Sequence, residues 1–316
     1  MSSSLRFSIR INNDLPVDQL VGLARIADAR GFDQVWLSND LFLRSAPVLL
    51  TVLAERTERI HIGAGIFNPY SIHPAELAML TATLQEVSGG RFRLGLAAGA
   101  EEFLNWAGIA RERPLARTAE AVRDVRTLLS GERPGGWAPE GHLRFPMRAP
   151  IYLGAMSPRM LSLAGEIADG ALPLLYPPEH FTTARDQVQQ GLDKAGRDGA
   201  DFDLPACFWV SVDTDAAAAK LALAEKIAYY GASFAPYLLR RAGLEPADFK
   251  DIRPDQVTER MLALGIAGGP EEVVERCRGL IAAGARHLSF GPPLGPDPEA
   301  AVALLADEVL PKLRGA

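Results

Sequence analysis

Cysteine is nearly missing: Cys207 and Cys277 are the only two in 316 residues. That is too few for a disulfide framework or a cysteine-built zinc site, and it suits a reducing cytoplasm. The five histidines, His61, His73, His142, His180 and His287, show no HxH or HxxxH spacing, so no metal site is expected. No apolar run approaches the roughly 18 residues of a membrane span. Met1–Arg10 lacks the apolar core of a signal peptide. Basic residues are outnumbered, 33 Lys and Arg against 39 Asp and Glu, and the net charge of −6 argues against a nucleic-acid partner. No G-x-S-x-G elbow is present. What remains is a soluble globular chain, 48% hydrophobic and 23% charged, acting on a small molecule through chemistry that an organic cofactor carries.

Short β-branched or aromatic runs alternate with helical patterns from end to end. Strands are expected at Leu5–Ile11, Gln34–Leu37, Arg59–Gly65, Arg91–Ala97, Ile151–Gly154, Gly170–Leu175, Cys207–Val212 and His287–Phe290. Helices follow each, many opened by proline as at Pro74, Pro114, Pro270 and Pro298, and the first is expected to be capped by Asp14. Strands separated by helices pair in parallel through right-handed crossovers. Eight such units predict a single α/β domain over residues 1–316, a (β/α)₈ barrel with insertions at Gly131–Arg148 and Gly243–Gln256.

In such a barrel chemistry gathers on the loops after the strands. Those positions hold Asn12, Asp40, Asn68, Gly99 to Glu102, Met156 to Ser157 and Tyr176, with His73 nearby. Asp40 leaves the apolar strand Val35-Trp36-Leu37 directly. It reads either as a ligand-contacting or acid–base carboxylate, or as an N-cap or Asx turn. Ser157-Pro158 is a serine N-cap before proline, which reads either as an anion-binding helix start or as a well-capped helix and nothing more. Gly63-Ala64-Gly65-Ile66-Phe67-Asn68 fails as a dinucleotide fingerprint, because Asn68 replaces the third glycine and no helix begins until Pro74. Asn12, His73 and Tyr176 are the candidate substrate contacts.

Several segments, taken in order, resemble the luciferase-like flavin and deazaflavin oxidoreductases. They are Ile62–Pro74, Thr83–Leu96, Pro114–Val122 with Leu128–Glu132, Ile151–Leu161 running to Gly165–Gly170, and Gly269–Val273. The Gly65-Ile66-Phe67-Asn68-Pro69-Tyr70 element is most similar to the methylenetetrahydromethanopterin reductase branch, which uses the deazaflavin coenzyme F420. The resemblance implies a barrel holding the cofactor ring against the strand ends, with a non-prolyl cis peptide at Gly65-Ile66 behind it. It places Asp40 near the reactive edge, Ala98, Gly99, Ala100 and Glu101 on the fourth loop, and Ala155, Met156 and Ser157 on the phosphate side. Asn68 joins the cofactor contacts, and Asp40 and Glu101 become the candidate proton-handling groups.

Two departures bear on the substrate. Leu41 stands where the family's sugar-phosphate dehydrogenases carry histidine, and Ala100 stands where an acidic residue is usual. They argue against a sugar phosphate and against methylenetetrahydromethanopterin itself. The expected activity is F420-dependent hydride transfer with a small organic substrate, in a homodimer. An FMN-dependent monooxygenase fed by a separate reductase and a non-catalytic flavin-binding protein are the alternatives.

Overall fold

The computed structural model describes residues 5–315. Nine parallel strands curl into a barrel: β1 (Arg6–Ile11), β2 (Gln34–Leu37), β3 (His61–Ala64), β4 (Phe92–Leu96), β5 (Ile151–Gly154), β6 (Gly170–Leu172), β7 (Ala206–Val212), β8 (Gly265–Gly268) and β9 (His287–Leu294). Their hydrogen-bonded order is β6-β5-β4-β3-β2-β1-β9-β7-β8, every ladder parallel. Near the start of the strands Gly170 bridges to Asp203 just ahead of β7, which brings the two flanks of the sheet together.

The eight expected strands are all present, their ends differing by four residues at most. The addition is β8, which pairs with β7 from Trp209↔Gly265 to Val212↔Gly268. Its sequence, Gly-Ile-Ala-Gly, has one β-branched residue between two glycines and reads as a turn. Leu223 lies 3.0 Å from where a Cβ on Gly265 would stand, so the helix Ala216–Tyr230 packs directly on this strand. A short helix, Glu101–Trp106, also occupies what reads as loop. The first helix begins at Val17 with Pro16 as its N-cap residue, and no side chain caps it. That corrects the expectation for Asp14.

Helix faces and the outward faces of the strands form the main core, in which Phe7, Ile9, Leu20, Leu50, Phe92 and Phe290 are fully buried. The barrel interior is different. At the start of the strands a polar layer centres on Asp203, whose carboxylate accepts from Arg6 Nη2 at 2.7 Å and from the Tyr152 hydroxyl at 2.8 Å. The imidazole of His287 lies 3.1 Å from both its oxygens and 2.9 Å from Ser8 Oγ. Burial opposes ionisation of Asp203, but His287, Arg6 and Tyr152 outweigh it and hold the carboxyl down to about 2. Above this layer Trp36 and Tyr152 meet edge to face, ring centroids 5.0 Å apart, beside Leu172 and Cys207. The indole fits because β3 has no side chain at Gly63, where a Cβ would run into it.

Candidate active site

A cavity of about 730 Å³ opens at the C-terminal ends of the strands, above the Trp36–Tyr152 layer. One wall comes from the exits of β3, β4 and β5: Gly65, Ile66, Asn68, Ala98, Gly99, Ala155, Met156 and Ser157 all line it. The Gly65-Ile66 peptide is cis, as the resemblance implies. A Cβ on Gly154 would come within 3.1 Å of both Ala97 Cβ and Ile66 Cγ2, so the glycine keeps this wall flat. The Asn68 side chain braces its own loop, accepting from the backbone of Tyr70 at 3.0 Å and of Ser71 at 2.9 Å.

Asp40 lines the same cavity from the exit of β2, the strand beside β3. It caps no helix, because the next one begins at Ala46 after Ser45. Its loop is pinned from below by Asn13, fully buried, whose Nδ2 donates to the carbonyls of Asp40 at 3.1 Å and Arg44 at 2.7 Å. Asn13 therefore builds the loop, while Asn12 faces the cavity. Burial is the main influence on the Asp40 carboxyl. Ser38 opposes it, Asp14 reinforces it, Lys226 opposes it, and the net effect is a pKa above the usual carboxylate range.

Ser157 caps the helix Pro158–Ile167, its Oγ accepting from Met160 N at 3.3 Å, and it lines the cavity as well. Three candidates lie off the cavity. Glu101 is exposed and turns to Arg111, 3.7 Å away, while its neighbour Glu102 faces inward. His73 caps the helix Pro74–Val87, accepting from Ala75 N at 3.2 Å, and its ring lies 5.6 Å from that of Trp137. Tyr176 is buried one layer back, its hydroxyl 2.9 Å from that of Tyr237, which lines the cavity and donates to Met156 O at 3.2 Å.

Sequence reasoning missed the opposite wall: Arg10, Trp209, Lys226, Tyr230 and Tyr237. For Arg10 a signal exists, because Ser8 and Arg10 alternate with Phe7, Ile9 and Ile11, placing a cation on the inward face of β1. For Lys226, on an alanine-rich helix, none does.

The family model described as luciferase-like monooxygenase matches residues 3–287. A 5,10-methylenetetrahydromethanopterin reductase of Methanolobus tindarius is 34% identical, over 97% of this chain and all of the relative. An F420-dependent glucose-6-phosphate dehydrogenase of Microbacterium testaceum is 30% identical, over 99% of both chains. Among solved structures, the coenzyme F420-dependent tetrahydromethanopterin reductase of Methanopyrus kandleri superposes with a TM-score of 0.89 at 28% identity, covering 98% of this chain and 99% of that one.

Proposed function

Because the chain belongs to the luciferase-like monooxygenase family, we propose that it is a coenzyme F420-dependent oxidoreductase, moving hydride between the deazaflavin and a small organic substrate. The observation that carries this reading is the glycine- and alanine-lined wall at Gly65, Ile66, Ala97 and Gly154, with Asp40 lining the cavity beside it. A planar tricyclic ring fits such a wall. The Trp36 side chain lines the cavity, and its indole Nε1 is buried without a partner among the described residues. Ser157 and the N-terminus of its helix suit the phosphate of the cofactor side chain.

When bound, F420 supplies a carbon that gives or takes hydride and reacts poorly with oxygen. The protein's own part is proton handling and positioning. Hydride arriving at a C=N or C=O bond leaves a basic atom that needs a proton. Asp40, with its pKa raised by burial, holds one further toward neutral pH than an exposed carboxylate does. Gly65, Ile66, Asn68, Ala98, Gly99, Ala155 and Met156 shape the ring's bed, and Ser157 fixes its tail.

The same reading makes the protein a cytoplasmic homodimer. The two buried free thiols, Cys207 and Cys277, support a reducing compartment. No helix of the described residues is long and apolar enough to cross a membrane. The dimer rests on the family resemblance, and sedimentation of the purified protein tests it.

Titration with F420 and with FMN, read by ring fluorescence, tests the function. F420 should bind at least about tenfold more tightly, and reduced F420 should be consumed without oxygen uptake. Preferential FMN binding with oxygen uptake would overturn the proposal in favour of a monooxygenase, and absence of any turnover in favour of a flavin-binding protein.

A further inference from the structure

Two cations, Arg10 and Lys226, also line the cavity. Arg10 projects from β1 into the barrel, where its Nη2 donates to Phe208 O at 2.6 Å and reaches Ser289 O at 3.5 Å. Its Nε is buried with no partner among the described residues. Room for the guanidinium is made by Gly291 in β9, where a Cβ would stand 2.6 Å from Arg10 Cζ. Lys226 comes in from the helix Ala216–Tyr230, its Nζ 4.1 Å from the centre of the Tyr230 ring and 5.8 Å from that of Trp209. Neither cation has a carboxylate at ion-pair distance among the described residues. Burial pulls both below their usual pKa range, with Asp14 and Asp40 opposing it at Lys226. Placing two like charges against a shared low-dielectric space is costly unless an anion enters it.

The charge count says which anion. Asp14 and Asp40 both act on Lys226, Glu102 lines the same cavity, and Arg111 is turned to Glu101. With those carboxylates close by, Arg10 and Lys226 have no surplus charge for a dianion, and a monoanion is the anion they can accept. The surrounding surface is aromatic, with Trp209 held by Phe234 at a centroid distance of 4.9 Å and Tyr230 beside it.

We propose that Arg10 and Lys226 bind the carboxylate of the substrate, making that substrate an organic monocarboxylic acid with an apolar body. This rests on reading the cavity as an F420-dependent active site. The carboxylate is the handle and not the reacting group: it holds the acid so that another of its carbons meets the ring, with Asp40 alongside. Arginine donates two parallel N–H bonds to such a group, and the lysine adds a point charge.

Calorimetric titration of the F420-saturated protein with benzoate and 3-phenylpropanoate, each against its neutral amide, tests the proposal. Phenyl phosphate serves as a dianion control. At least one acid should bind about tenfold or more tightly than its amide, and phenyl phosphate no more tightly than that acid. Arg10→Gln and Lys226→Gln should each reduce the acid-over-amide ratio to about threefold or less, with F420 affinity held. Lys226→Gln carries the test if Arg10→Gln misfolds, since only Arg10 is bonded to the barrel backbone. Equal binding of acid and amide, no binding of any acid, tighter binding of phenyl phosphate, or a ratio that survives substitution would overturn it. If F420 itself fails to bind, the oxidoreductase reading falls, and the same titrations on protein without cofactor still decide whether the wall takes a carboxylate.

Discussion

Both carboxylate oxygens of Asp203 lie 3.1 Å from Nδ1 of His287, deep in the barrel at the end opposite the cavity. With its carboxyl at about 2 against roughly 3.9 unfolded, Asp203 contributes about 2–3 kcal/mol to stability at neutral pH. A depressed folded-state pKa gives a contribution that is whole above about pH 5 and is lost as pH falls toward 2. Denaturant unfolding at a series of pH values should therefore show the wild type losing that much across the acid range. Asp203→Asn should start lower at pH 7 and lose less. Equal acid slopes for the two proteins would refute the assignment.

Asp40 has the opposite sign. Its raised pKa means that the folded state ionises it less readily than the unfolded state does. The cost is absent below the unfolded carboxyl pKa of about 4, grows as pH rises through the interval to the folded value, and stays at its full size above it. Asp40→Asn should raise Tm at pH 7.5, and the gain should vanish below about pH 4. In a single turnover the same change should slow hydride transfer by about 10²–10⁴-fold, while Glu101→Gln leaves the step unchanged. A site residue that weakens its own fold is an ordinary outcome where function needs an unfavourable charge.

Ser157→Asp separates capping from cofactor binding, because aspartate caps a helix as well as serine does. Thermal stability should stay within about 0.5 kcal/mol of wild type. Affinity for F420 should drop about tenfold or more as the new carboxylate meets the phosphate. Unchanged affinity, measured by fluorescence titration, would remove this helix start from the site.

Gly63→Ala drives a methyl into the Trp36 ring. The indole is fully buried and boxed in by Tyr152, so it cannot yield without disturbing the cavity floor. Overpacking of this kind costs about 1–3 kcal/mol. Urea denaturation should show that loss, with a shift in Trp36 fluorescence. A neutral substitution would mean that the floor is looser than the packing implies.

The barrel was legible because every strand but β8 carries a compact apolar run, and most are followed by a helix opened by proline, as at Pro74, Pro114, Pro158 and Pro298, or by an aspartate cap, as at Asp215. β8 hid behind its two glycines, which only its pairing with β7 makes a strand. The glycine-bed side of the cavity was readable from the order of motifs from Ile62 to Leu161. The cationic side was not, because Arg10, Trp209, Lys226 and Tyr237 come from distant segments that only the closed barrel brings together. Glu101 and Glu102 show the finer difficulty: on a helical turn adjacent residues point about 100° apart, and one register step decides which carboxylate enters the cavity.

The Trp36–Tyr152 pair separates two bodies of ionisable groups that share one barrel. Below it, Asp203 is held by His287, Arg6 and Tyr152 in the layer whose loss in acid is predicted above. Above it, Asp40, Arg10 and Lys226 answer to substrate and proton. Two aromatic side chains set edge to face thus form the partition between foundation and workshop. Changes in the upper compartment can retune the reaction's pH profile while the acid tolerance of the fold stays where the lower compartment sets it.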